Sequence, residues 1–132
     1  MRLSVDTNVI LRLLVRDDVS QTAIAAREME NADAVILSLV VLCETAWVLE
    51  RTYRFSRTAI AESFRDLITA PNVECDQSEV EAGLAMLDLG GDFADGVVVR
   101  QGRSRRAEAF VSFDRRAVKR LVALGENARL PG

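Results

Sequence analysis

The chain has 132 residues, 49% of them apolar and 28% charged, with a formal net charge of −3. That is enough for one domain with its own core and no staples, so residues 1–132 are expected to form a single domain. There is no histidine, which excludes a Ser-His-Asp triad, a histidine general base and a histidine-ligated metal, and leaves carboxylate, hydroxyl and arginine chemistry.

A first strand is predicted over Leu3–Val5, followed by a helix from Thr7 to about Val15. Asp17-Asp18 breaks the pattern. Ser20 is placed to cap a second helix through about Asn31, with Ile24, Ala23 and Ala26 facing in. Ala34–Leu37 reads as a buried strand. Ser38 then caps a third helix, Leu39 to about Arg51. Its first half is apolar almost all round, which implies burial on several sides, with Glu44 in its middle. Ser56 starts a fourth helix whose inward stripe is Ile60, Phe64, Leu67 and Ile68, and Pro71 marks its end. Residues 72–75 form a short extended piece. Asp76 with Glu79 resembles a capping box, opening a fifth helix that carries Val80, Leu84 and Leu87 and stops at Gly90-Gly91. A sixth helix runs from about Asp92 to Ser104, a strand over Ala109–Ser112, a short helix over Arg115–Val122, and a last strand near Ala128–Leu130. Strands alternating with helices predict an α/β fold with a parallel sheet.

In such a sheet, chemistry sits beyond the carboxyl ends of the strands. Asp6 follows the first strand there and is equally well placed to cap helix one. Asp92 and Asp95 are three apart at a helix start, so they share a face. Asp114 comes two residues after the strand ending at Ser112. Each of these three also reads as a helix cap or a favourable charge near a helix N-terminus. Glu44 is harder to dismiss, because a carboxylate buried in an apolar helix costs several kcal/mol unless paired or metal-bound. Clustered carboxylates repel unless a cation is present. All-oxygen donors favour Mg²⁺ or Mn²⁺, and such an ion can activate water against a phosphodiester.

The charge is uneven. Residues 1–99 hold 8 basic and 17 acidic side chains, whereas residues 100–132 hold 9 basic and 3 acidic. The basic stretch includes Arg100, Arg103, Arg115 and Arg116, and arginine forks suit phosphate. On charge alone, a solvated basic face is the simpler reading. Cys43 and Cys75 make neither a disulfide framework nor a zinc pattern, and Cys43 is expected to be a small core residue. No apolar run reaches the roughly 18 residues of a membrane span. The N-terminus does not read as a signal peptide, because Arg2 is a lone charge and Asp6 interrupts the apolar run. A cytoplasmic protein is therefore expected.

Asp6-Thr7-Asn8-Val9 resembles the opening motif of PIN-domain nucleases. Glu44, within Val41–Leu49, is similar to that family's second acidic position. Asp92-Phe93-Ala94-Asp95 resembles the third, and Ser112-Phe113-Asp114-Arg115 the fourth. The motifs are in order over nearly the whole chain, and the nearest similarity is to VapC-type toxins of toxin–antitoxin pairs. The resemblance implies a PIN-like three-layer α/β/α fold, with a mostly parallel sheet of four to five short strands and six to seven helices. It implies a Mg²⁺- or Mn²⁺-dependent RNA endonuclease, a cognate antitoxin, and a homodimer or higher toxin–antitoxin assembly. By position, Asp6, Glu44, Asp95 and Asp114 are the catalytic acids, and Asp6, Asp95, Asp92 and Asp114 are the metal ligands. Asp92 joins Asp95 or takes over part of its role. Asn8 and Ser112 orient the acids, and Arg100, Arg103, Arg115 and Arg116 contact RNA phosphate.

Gly96–Val99 departs from the alanine- and leucine-rich helix usual after the third acid, and glycine with β-branched residues weakens a helix. On that departure rests a second reading, a PIN-like module that binds RNA or an antitoxin without cleaving. A receiver-like phosphoacceptor lacks its paired acid and a lysine after the last strand. A haloacid-dehalogenase reading lacks the second aspartate after Asp6.

Overall fold

The computed structural model describes residues 1–132, which divide into two compact units, 1–76 and 77–132. The first unit contains β1 (Arg2–Ser4), α1 (Thr7–Val15), α2 (Val19–Asn31), β2 (Ala34–Leu37), α3 (Leu39–Arg51), α4 (Arg57–Ile68) and β3 (Val73–Cys75). The strands form a parallel sheet in the order β1-β2-β3. Chain order is kept across it, so this sheet has no reversal of strand order. Its carboxyl ends share one edge. Ser38 and Ser56 cap α3 and α4 as expected, with Oγ accepting from the amides of Val41 and Ala59 at 3.2 and 3.0 Å.

Three expectations for this unit change. β1 ends at Ser4, one residue early, because the ladder stops there, although Val5 remains buried. The cap of α2 is Asp18, not Ser20: its Oδ1 accepts from the amide of Gln21 at 3.0 Å. The inward face of α2 is Ala25 and Met29, while Ile24 is exposed. The helix is fixed at both ends from outside. Thr22 Oγ1 donates to Arg12 O at 2.8 Å, and Asn72 Nδ2 donates to the carbonyls of Met29 and Ala32 at 2.8 and 3.0 Å. Those bonds take up carbonyls that a helix C-terminus leaves unpaired.

The register puts Arg2 and Glu74 on one sheet face, on either side of β2. Their side chains pair as two parallel bonds of 2.9 and 2.8 Å. The hydrogen bond from Arg2 holds the Glu74 carboxyl below its ordinary value. A lowered carboxyl pKa supports the fold above the ordinary glutamate range and loses that support as pH falls through the lowered value. The stability gap between wild type and Arg2→Gln should therefore be full at neutral pH and close on acidification. The pair is exposed, so the gap is small. Urea unfolding across an acid series checks this, and a gap that widens as pH falls would contradict it.

The second unit contains α5 (Gln77–Asp88), α6 (Phe93–Ser104), β4 (Phe110–Val111), α7 (Arg115–Ala123) and β5 (Ala128–Arg129). β4 and β5 pair in parallel. Met86, Val99, Leu121 and Ala128 form a buried cluster, with Phe110 and Val118 against it. Seven helices and five short parallel strands match the α/β PIN-like class, with the strands in a three-stranded and a two-stranded sheet.

The α5–α6 contact explains the Gly96–Val99 departure. A Cβ on Gly96 would lie 2.3 Å from the Ala82 carbonyl oxygen and 2.6 Å from its carbon. A Cβ on Gly83 would lie 2.5 Å from the Phe93 ring. Bare backbone at both positions lets the helices meet closely, and α6 runs unbroken through Gly96–Val99 with Val97 and Val99 buried. Packing outweighs the weak intrinsic propensity of this segment. No helix is long and apolar enough to cross a membrane.

Candidate functional site

In the first unit Asp6 is the N-cap of α1, its Oδ1 accepting from the Thr7 amide at 2.8 Å. The carboxylate is exposed at the sheet's carboxyl edge. Asp6 and Asn8 line an open groove of about 410 Å³ whose other walls include Val5, Val9, Ile24 and Glu28. Asn8 is exposed and makes no side-chain hydrogen bond.

Glu44 is exposed, which removes the burial argument made for it from the sequence. α3 buries Leu42, Thr45, Ala46 and Leu49. Its other face presents Val40, Glu44, Trp47 and Arg51, with Val40 78% and Trp47 57% exposed. The Arg51 guanidinium sits 5.3 Å from the Trp47 ring centroid. Apolar residues on both faces hid which one turns inward. Cys43 is half-buried rather than a core residue, and neither cysteine forms a disulfide.

In the second unit, Asp92 caps α6, its Oδ1 accepting from the Ala94 amide at 3.3 Å, and Asp95 follows in the first turn. Both are half-buried. Asp114 caps α7, its Oδ1 accepting from the Ala117 amide at 3.0 Å. Ser112 Oγ accepts from the Asp114 backbone amide at 3.0 Å, so it holds Asp114 through the main chain. Three of the aspartates are thus helix caps, each bonding an amide through Oδ1.

The arginines divide. Arg103 Nη1 donates to both Glu126 oxygens at 3.0 and 3.3 Å, so one of its nitrogens is engaged by a carboxylate. Arg100 Nε donates to Ser78 Oγ at 3.5 Å, at the outer limit of a hydrogen bond. Arg115 and Arg116 make no ion pair.

Within neither unit do three Cys, Asp or Glu side chains stand close enough together to hold a metal ion. Magnesium commonly takes only one or two carboxylates and completes its shell with water and substrate phosphate. The donor chemistry of Asp6, Asp92 and Asp114 fits that mode, since each cap bond uses one carboxylate oxygen.

The chain matches the PIN domain family over residues 3–123. It belongs to that family. PIN domains are generally nucleases that need a divalent metal, and this PIN domain carries acids at all four positions singled out in its sequence. A comparison with curated proteins returned no match.

One feature of this PIN domain was not read from its sequence, and a second was read only as a helix cap. Thr7 Oγ1 is buried beside Asp6 without a hydrogen-bond partner, which costs on the order of 1–3 kcal/mol. A threonine opening a helix gives no warning of that. Asp76 follows β3 much as Asp6 follows β1, at the same sheet edge, and its place depends on a strand of only three residues.

Proposed function

We propose that this PIN domain is a Mg²⁺- or Mn²⁺-dependent endoribonuclease, the toxin of a toxin–antitoxin pair. In this reading residues 1–132 act as one nuclease domain in the cytoplasm, as a homodimer or larger toxin–antitoxin assembly restrained by a cognate antitoxin. The observation that carries it is the family match over residues 3–123, a span that includes Asp6, Glu44, Asp95 and Asp114.

Asp6, Asp92, Asp95 and Asp114 would hold the ion. Their helix-cap bonds fix the backbone beneath three of them and limit the rotamers each must lose on binding. Glu44, exposed on α3, is the fourth catalytic acid. Ser112 steadies Asp114 through its amide. Asn8 faces the groove that Asp6 lines. Arg100, Arg103, Arg115 and Arg116 would bind phosphate. A divalent cation held there supplies Lewis acidity toward the phosphodiester and lowers the pKa of a water nucleophile.

Incubation with RNA in Mg²⁺ should give cleavage that stops in excess EDTA. Full activity in EDTA would refute the metal requirement. Induction should arrest growth, and the product of an adjacent small reading frame should relieve the arrest.

The alternative reading is a module that binds RNA or an antitoxin without cleaving. The Gly96–Val99 departure no longer supports it, because helix packing accounts for that segment. Calorimetry separates the two readings: no Mg²⁺ or Mn²⁺ binding with intact RNA binding would favour the module.

A further inference from the structure

We propose that the basic face of α7 is a track for an RNA phosphate backbone, formed by Arg116, Lys119 and Arg120 beside the Gly90–Gly91 turn. The inference rests on the ribonuclease reading and extends it beyond the acids. Arg120 lies six positions after Asp114, about 9 Å along the helix axis.

The first support is that these cations are unmatched. Arg2, Arg12, Arg57 and Arg103 each pair with a carboxylate. The side chains of Arg115, Arg116, Lys119 and Arg120 make no ion pair or hydrogen bond. They are also badly placed for α7 itself. Arg115 and Arg116 occupy the first helical turn, where the helix dipole favours acids. Arg115 with Lys119, and Arg116 with Arg120, are like-charge neighbours four apart, which weakens a helix. A helix that carries four such charges is better suited to an anion than to water.

The second support is shape. Arg116, Lys119 and Arg120 line an open groove of about 410 Å³ with Leu89 and Ala123. The Arg120 stem is half-buried across the turn, where a Cβ on Gly91 would lie 2.9 Å from its Cδ. Packing against bare backbone restrains this arginine, so less side-chain freedom is lost on binding. Cations three and four residues apart are about 4.5–6 Å apart along the axis, close to the spacing of successive phosphates on one strand. Three cations and no carboxylate line the groove, which suits the repeated charge of a phosphate backbone, and an acidic protein segment is the occupant the test must exclude.

The test is anisotropy of a labelled single-stranded RNA in EDTA, from about 50 to 200 mM salt. Arg116→Gln/Lys119→Gln should weaken binding about tenfold or more and flatten the slope of log affinity against log salt by about 1.4. Arg120→Gln should act in the same direction. Arg27→Gln/Arg105→Gln removes the same charge elsewhere and should change affinity less than about twofold. Circular dichroism confirms folding. Wild-type affinity and slope in both α7 variants would overturn the track. So would wild type that binds polyglutamate but not RNA, since the face would then serve an acidic protein segment. If wild type fails to cleave RNA in Mg²⁺ while the α7 variants still lose RNA binding, the nuclease reading fails and the track stands.

Discussion

Gly96→Ala should lower the melting temperature by roughly 5 °C or more, while Gly102→Ala in the same helix should raise it by a few degrees. Alanine is the better helix former by about 1 kcal/mol, so propensity alone predicts a gain at both sites. At Gly96 the new methyl would meet the backbone of α5, with the Ala82 oxygen 2.3 Å away. No rotamer relieves a clash with backbone, so α5 and α6 must separate and loosen the packing of Phe93 on Gly83. Overpacking of this kind costs about 1–3 kcal/mol or more, enough to reverse the propensity gain. At Gly102 the nearest atom is the Ala107 Cβ at 3.5 Å, an ordinary contact, so the gain survives. Thermal unfolding by circular dichroism decides it. A stabilised Gly96→Ala would mean that the helices do not meet at Gly96.

Asp6→Asn should abolish metal-dependent RNA cleavage, by at least about a hundredfold, with little loss of stability. Losing a group that only supports a ligand already costs about 10–100-fold, and loss of a ligand itself costs more. Asparagine caps a helix as well as aspartate does, so the bond from the Thr7 amide to Oδ1 can persist. Asp6→Ala should lose the same activity and about 1 kcal/mol of stability as well. Cleavage assays and unfolding curves on both variants separate the two roles. An Asp6→Asn protein that cleaves normally would leave Asp6 as a cap and nothing more.

Most helix starts were legible from a short polar residue before an apolar repeat, although Ser20 was read as the cap that Asp18 provides. Ser38, Ser56, Asp92 and Asp114 all cap as the pattern suggested, because capping depends on neighbours two or three residues away. What depends on distant neighbours was not legible. Glu44 is exposed because α3 turns Leu42 and Leu49 inward, and Val40 and Trp47 disguised that choice. Ile24 misled in the same way on α2. Gly96 read as a weak point in a helix, and only the Ala82 backbone against it reveals why a side chain is excluded. The positions of the acids could be read from order and motif. The pairing of Arg103 with Glu126, 23 residues further on, could not.

The helix-cap aspartates carry a genetic consequence. Aspartate and asparagine codons differ by a single first-position base. At Asp6 and Asp114, one G-to-A transition would remove a negative charge and keep a cap that starts a helix. Selection against a harmful nuclease thus has a short mutational route to a folded, inert protein, still able to engage whatever recognises its surface. Under the proposed toxin role, survivors of expression should include such full-length missense alleles alongside truncations.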